Sequence, residues 1–315
     1  MNIKNATAIS NPKKVKKKKL FTKNNIILYI MFLPVLISYI IFHIVPMPGI
    51  YLAFADFRVM GFKDIWVGLD NFKYIFNLSN FWDSFWNTWV FVLYNYIFAF
   101  PAPILLALLL NELKGKYFKK TIQTISCLPH FLSWVVIASI WISILSPSTG
   151  YVNFVIKALG GEPIYFLSKA DLFPALLTFI RIWKDVGYNA IVYLAALSSI
   201  DQELYEAAHI DGAGRFKQTI YVTLPGIKST ILVLFVLSFS GILNLFDPVY
   251  VFQNPMIAST AETLDTYIYK QGVVQARYSM ATAVGLFKSV ISFVFVILTN
   301  VLSKYFTEDR ETILW

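Results

Sequence analysis

Six apolar stretches recur along the chain, running from Ile26 to Val45, Phe85 to Leu110, Ile122 to Leu145, Leu172 to Leu197, Ser229 to Phe252 and Met280 to Leu302. The hydrocarbon core of a bilayer is roughly 30 Å thick and is crossed by about 20 residues of helix, the length of each stretch. No water enters that core to satisfy backbone N–H and C=O groups, so each stretch must close its own hydrogen bonds as a helix. Hydrophobic residues make up 57% of the chain and charged ones 14%, far from the balance of a soluble domain. The expected fold class is an all-α membrane protein with six transmembrane helices.

Basic residues orient these spans. The N-terminal segment carries Lys4, Lys13, Lys14, Lys16, Lys17, Lys18, Lys19 and Lys23, and the second connection on that side adds Lys114, Lys116, Lys119 and Lys120. With Arg215, Lys217, Lys228, Lys304 and Arg310 that side holds seventeen, whereas Arg58, Lys63, Lys73, Lys157, Lys169, Lys270 and Arg277 give the other side seven. The positive-inside rule places both termini in the cytoplasm. The expected organisation is a basic tail over 1–25, a membrane domain over 26–303 and a short cytoplasmic tail over 304–315.

The run Lys13 to Lys19 raises the net charge to +9 but directly precedes a spanning segment, where it suits anionic lipid headgroups better than nucleic acid. The first apolar stretch is too long for a signal-peptide core, contains Pro34 and ends without a small-x-small site, so it reads as a retained helix. Cys127 is the only cysteine and sits inside an apolar window, which excludes an internal disulfide and a metal site built on several thiolates.

No catalytic set is expected. The chain has no Gly-x-x-x-x-Gly-Lys-Ser/Thr phosphate cradle, and His43, His130 and His209 have no metal-ligand spacing. His43 and His130 read as boundary or packing residues. Between Pro46 and Trp86, aromatic residues such as Tyr51, Trp66, Phe72 and Trp82 alternate with Asp56, Asp64, Asp70 and Asp83. They form either an interfacial belt or a surface for an external partner.

Polar residues within the apolar windows either serve structural pairing and packing or line a path for a hydrophilic solute. Arg181, Lys184, Asp185 and Tyr188 fall three or four apart on one helical face, with Asn189 four after Asp185. A charge at mid-helix costs on the order of 2.5 to 3.5 kcal/mol, so it faces a partner or a wet cavity. Arg181 and Asp185 either bridge each other or meet the solute. Ser240, Asn244 and Asp247 follow i, i+4, i+7 beside Phe239 and Phe246, a stripe of hydrogen-bonding groups and rings that suits sugars if it does not serve helix packing. Thr282, Gly285, Ser289 and Ser292 read as a close-packing face.

Between the fourth and fifth windows lies a polar island, Glu206-Ala207-Ala208-His209-Ile210-Asp211-Gly212, followed after nine residues by Val222-Thr223-Leu224-Pro225. Ser199-Ile200-Asp201-Gln202 has the form of a capping box that would open a short helix. Gly212 and Gly214 would end it in a tight turn. A second helix over about 215–223 would lead to Pro225 in the first turn of the next span. The spacing resembles the cytoplasmic signature loop of ATP-binding-cassette importer permeases, with Val222 where that family usually carries Ile. The resemblance implies a type I importer-permease fold in which loop 199–227 docks on an ATPase through Glu206, Ala207, Ala208, Asp211, Gly212, Gly214, Leu224 and Pro225.

The resemblance extends from Leu33 onward. Pro103 to Glu112, Leu128 to Val136, Tyr193 to Leu197, Leu204 to Ala208, Asp265-Thr266-Tyr267 and Ala283 to Phe287 are similar to polysaccharide- or aldouronate-type permeases of the carbohydrate group. This implies an oligosaccharide substrate, a second homologous permease, two ATP-binding cassette subunits and an extracellular solute-binding protein, assembled in the bacterial cell membrane. It also implies that this chain binds no cofactor, ATP and Mg being held by the ATPase. Gln253-Asn254-Pro255 departs from the Gly-Gly-Pro common in sugar permeases. Rival expectations are a permease for another solute, such as an amino acid or phosphate, and a stand-alone channel or intramembrane enzyme.

Overall fold

A computed structural model describes residues 23–57 and 64–304. The basic segment before Lys23, the loop residues Arg58, Phe62 and Lys63, and the C-terminal tail beyond Lys304 lie outside the described residues. The chain divides into two compact units, Met1–Gly49 and Ile50–Trp315. The first contains α1 (Lys23–Tyr39), continued by a wide turn over Ile40–Ile44. Pro34 sits inside α1, as membrane helices tolerate. Every side chain from Ile26 to Val45 is exposed, which suits a segment whose solvent is lipid.

The second unit is almost wholly helical, with one departure from the all-α expectation. A two-stranded antiparallel pair, β1 (Ala55–Asp56) and β2 (Ile65–Trp66), sets Ala55 opposite Trp66 and Asp56 opposite Ile65. Asn71 holds it from below, donating through Nδ2 to the Ala53 and Ala55 carbonyls. The helices α2 (Asp70–Phe76) and α3 (Ser79–Tyr94) follow, and one wide turn joins α3 to α4 (Pro101–Glu112). Next come α5 (Lys116–Cys127), α6 (Trp134–Leu145), α7 (Tyr151–Ala158) and the long α8 (Phe173–Ser198). A loop pair, α9 (Gln202–Ile210) and α10 (Arg215–Gln218), leads through the single turn α11 (Leu224–Gly226) into α12 (Lys228–Ser238). Three short helices, α13 (Phe246–Tyr250), α14 (Ala258–Ala261) and α15 (Leu264–Tyr269), precede α16 (Tyr278–Ser303).

Among the described residues three helical runs are long and apolar enough to cross a membrane: Ile26–Phe54, Ser79–Glu112 and Tyr278–Ser303. The fourth expected span is α8, a continuous helix of 26 residues that carries three charges. At 1.5 Å per residue it measures about 39 Å, more than the hydrocarbon thickness. The third and fifth windows differ from expectation, since neither is one straight helix. Lys116–Phe131 and Trp134–Leu145 meet at 106° inside the third, and the fifth leaves the α-helix at Ser238, while Arg215–Gly226 and Lys228–Gly241 meet at 58° just before it. Pro129 and Pro225 account for the bends, because proline donates no N–H to the ladder and its ring displaces the preceding turn.

Packing follows these helices. Phe91, Ile137, Phe173, Leu177, Ile180 and Val249 form one buried cluster, and Ala53, Ile75, Phe81, Leu264, Tyr267 and Val284 form another. A third cluster, Ala107, Ala190, Tyr193, Leu197, Ile200 and Ile227, joins α4 to α8 and packs against Tyr205 and Val222 of the polar island. Gly187 of α8 lies against the Ser126 backbone of α5 so closely that any Cβ there would collide with the Ser126 carbonyl. Gly187→Ala is therefore expected to destabilise the protein by about 1–3 kcal/mol or more, the cost of overpacking where backbone must yield. Thermal unfolding in detergent checks this, and a wild-type midpoint would contradict the close approach.

Candidate translocation pathway and docking loop

The polar island forms two short helices joined by a defined turn. Asp201 is the N-cap of α9, its Oδ1 accepting from the Glu203 N–H at 3.0 Å, whereas Ser199 donates back to the Ala196 carbonyl. The expected Ser199 capping box is thus replaced by an Asp cap two residues later, because the preceding helix runs through Ser198. The α9 helix ends at Gly212, whose φ of +76° only glycine adopts freely. The Ala213 N–H reaches the Ala208 carbonyl and the Gly212 N–H reaches that of His209, which satisfies the last carbonyls of α9.

The second helix is tied to the first. Gln218 donates to the Ala213 carbonyl at 3.0 Å, and the Tyr205 and Thr223 hydroxyls are 3.0 Å apart. Arg215 pairs with Glu112 at the end of α4, 3.6 Å away. Of the predicted docking residues, Glu206, Ala207, Asp211, Gly212, Gly214 and Pro225 are exposed, while Ala208 and Leu224 are half-buried. Sequence reasoning missed Ile210 and Phe216, which are 85% and 78% exposed and add an apolar surface beside the carboxylate of Glu206. An anchored loop that leaves large apolar side chains uncovered is the form of a protein contact.

The break in the third window builds one wall of a polar cavity. Its turn, Leu128–Phe131, frees carbonyls that a continuous helix would have paired. Lys184 of α8 supplies the missing donor: its Nζ lies 2.6 Å from the His130 carbonyl and 3.0 Å from that of Leu132, and the side chain is buried. His130 Nδ1 lies 2.9 Å from Asp185 Oδ1, and its ring stacks on Tyr188 with centroids 3.8 Å apart. Asp185 therefore pairs with His130 and, at 3.9 Å, with Lys184. Of the two alternatives for Arg181 and Asp185, the bridge is absent among the described residues, and Arg181 lines the cavity. His130 belongs to this polar network, a role beyond the boundary or packing position expected from sequence. A Leu-Pro-His run inside an apolar window is the signal that could have revealed it.

The break in the fifth window builds the facing wall. The helix α12 ends at Ser238, passes through a tight turn over Phe239–Gly241 and restarts at Phe246. Ser240, Asn244 and Asp247 consequently do not share one helical face, contrary to the i, i+4, i+7 expectation. Ser240 returns its hydroxyl to the Leu237 carbonyl and does not join the cavity. Asp265 of α15 accepts the Leu245 N–H at 2.7 Å through one oxygen and the Lys288 ammonium through the other. Lys288 also donates to Asn244 Oδ1 at 2.9 Å. Lys288, a charge within the sixth apolar window, thereby takes a place at the break. In the second buried cluster, burial pushes the Tyr267 phenol above its ordinary pKa.

Five predicted residues from two windows converge on one cavity of 410 Å³: Arg181, Asp185, Asn244, Phe246 and Asp247, joined by Trp134 and Asp265. A second cavity of 490 Å³, lined by His130, Lys184 and Leu132, shares Trp134, Asp185 and Asp247 with it. Asn189 lies apart, in a 240 Å³ recess that Arg181 and Asp185 also border. Tyr188 lines none of these three spaces and meets the site through its ring's contacts with His130 and Phe131. Cations, carboxylates, an amide and aromatic faces around one space can hydrogen-bond hydroxyls while stacking on C–H faces.

Residues 99–307 match the family described as binding-protein-dependent transport system inner membrane component. The chain belongs to this family. The permease is 44% identical to protein LplB of Bacillus subtilis over 285 residues, covering 90% of each chain. It is 42% identical to the polygalacturonan/rhamnogalacturonan transport system permease protein YteP of the same species, covering 94% of each. Among solved structures, a chain of a bacterial ABC transporter involved in the import of the acidic polysaccharide alginate superimposes with a TM-score of 0.84 at 39% identity, over 91% of this chain and 98% of that one. A chain of the bacterial alginate ABC transporter in complex with alginate pentasaccharide-bound periplasmic protein gives 0.85 at 38% identity, over 92% and 98%. The type I importer-permease fold is therefore that of this membrane component.

Removing Lys288 would strand the Asp265 carboxylate. Lys288→Met is expected to cost about 1–3 kcal/mol, below the range for a fully buried pair because both side chains remain 14% exposed. The double variant Lys288→Met, Asp265→Asn should recover much of that loss. Thermal unfolding of the purified variants checks the ordering, and a single variant as stable as the double would contradict it.

Proposed function

We propose that this permease is the transmembrane subunit of an ATP-driven importer that moves an oligosaccharide into the cytoplasm. The convergence of Arg181, Asp185, Asn244, Phe246 and Asp247 on one cavity, from two different apolar windows, is the observation that carries this reading. Such a lining suits a solute with many hydroxyls and apolar ring faces. The relatives named for polygalacturonan/rhamnogalacturonan transport and alginate import support a carbohydrate cargo.

The proposed arrangement has six spans with both termini in the cytoplasm, supported by the charge asymmetry of the connections. In it α8 is the fourth span, and the two bent segments are the third and fifth. The membrane domain comprises 26–303, flanked by tails over 1–25 and 304–315. The chain supplies no ATPase site of its own and binds no cofactor. It works with a second permease, two ATP-binding cassette subunits holding ATP and Mg, and an extracellular solute-binding protein in the bacterial cell membrane. Loop 199–227 receives the ATPase movement, with Glu206 at the rim and Ile210 and Phe216 beside it. Its Arg215–Glu112 pair and its packing against Ile200 and Ile227 pass that movement to α4 and α8.

Glu206→Lys tests the docking assignment. Uptake and transport-stimulated ATP hydrolysis should both fall about tenfold or more, equivalent to losing roughly 1.4 kcal/mol of coupling contact. The folded subunit should still reach the membrane, and unimpaired uptake would sink the assignment. The pathway assignment is tested by Asn244→Ala and Asp247→Ala, which should change transport rate or glycan preference while leaving ATPase association intact. Unchanged transport across a glycan panel would refute it.

A further inference from the structure

The groove does not end at Asp247. The cavity that holds His130 and Lys184 is also walled by Val135 and Val251, and those two valines wall a third cavity of 690 Å³. That third space is lined by Tyr250, Tyr269, Gln253 and Lys270. The three cavities, of 410, 490 and 690 Å³, thus share walls in series from Arg181 to Gln253. Each alone lies within the roughly 300–1,000 Å³ of a small-molecule site, so the series is longer than one sugar ring requires.

The two ends are joined by aromatic faces. Phe246, which lines the first cavity, stacks on Tyr250 with centroids 4.9 Å apart and an interplanar angle of 16°. Tyr269 completes a triad, 5.2 Å from Phe246 and 5.1 Å from Tyr250. Rings that served only as core would be covered, yet Tyr250 is 44% exposed. Gln253 stands beside them with a side chain that makes no hydrogen bond among the described residues, whereas the amide of neighbouring Asn254 is used by the Leu167 carbonyl and the Met256 N–H. Lys270 is held by Glu262 at 2.9 Å. An aromatic face for C–H groups beside an uncommitted amide for hydroxyls is the chemistry of a pyranose subsite.

We infer that Tyr250, Tyr269 and Gln253 form a second carbohydrate subsite, which takes a glycosyl unit further along the same oligosaccharide chain whose first unit meets Arg181 and Asn244. This rests on the reading of the chain as an oligosaccharide permease, and it makes solute length a property that the permease itself senses. A disaccharide occupies the first cavities only, whereas a pentasaccharide reaches the triad.

Length-resolved uptake by the whole transporter, reconstituted in vesicles with its binding protein, tests the inference. The probes are oligosaccharides of polygalacturonan, rhamnogalacturonan and alginate, each supplied as disaccharide and pentasaccharide. Tyr250→Ala and Gln253→Ala should lower pentasaccharide uptake relative to disaccharide by about threefold to tenfold, the effect of losing one ring or amide contact. Tyr250→Phe should keep the wild-type ratio, because the stacking face survives. Equal losses for both lengths, or a lower amount of assembled complex that accounts for the loss, would make the triad a packing element and overturn the inference. An unchanged ratio in both variants would overturn it as well. If wild-type vesicles take up neither length of any glycan, the oligosaccharide reading itself fails, an outcome distinct from a wild type that transports without regard to the triad.

Discussion

A helix broken inside an apolar segment leaves carbonyls without their helical donors, and each must find a donor elsewhere in the protein. Lys184 provides one at the third segment by placing a buried ammonium on the carbonyls of His130 and Leu132. Charge-assisted hydrogen bonds are about twice as strong as neutral ones, which suits a site where a free carbonyl would cost several kcal/mol. With the turn held, His130 meets Asp185 and Tyr188, and Trp134 opens a new helix that walls the cavity.

The fifth segment uses the same solution with different parts. Its break leaves the Leu245 N–H open, Asp265 accepts it, and Lys288 balances the carboxylate. The two lysines come from α8 and α16, the two uninterrupted helices of 26 residues. Straight helices therefore carry the stabilising cations, and interrupted ones provide the polar walls. Gaps in the helices are tolerable because they line a cavity, the setting in which irregular backbone survives inside a membrane.

Hydropathy makes the apolar windows and the polar island between them legible, since both depend on composition over many residues. Arg181, Asp185, Asn244, Phe246 and Asp247 are legible for a related reason: polar groups in lipid-length segments carry a large solvation cost and must face something polar. Direction was harder to read. Lys184 is only three residues from Arg181, yet it turns into the break while Arg181 faces the cavity. Counting along a continuous helix puts Ser240 in a stripe, but the helix stops at Ser238. The roles of His130, Asp265 and Lys288 arise from contacts across 55, 20 and 23 residues, which no local periodicity encodes. The Asp201 cap lay within the expected motif but two positions on, because the end of α8 determined where the new helix could begin.

The contact between Gly187 and the Ser126 backbone also bears on motion. Two helices whose main chains touch have no side-chain layer to deform, so α5 and α8 cannot slide past each other by small rotamer changes. They behave as one slab, carrying Lys184, Asp185 and the His130 turn along together. A cycle that opens and closes the cavity must then find its compliance elsewhere, and the short non-helical link between Gly241 and Phe246 offers it in the facing wall.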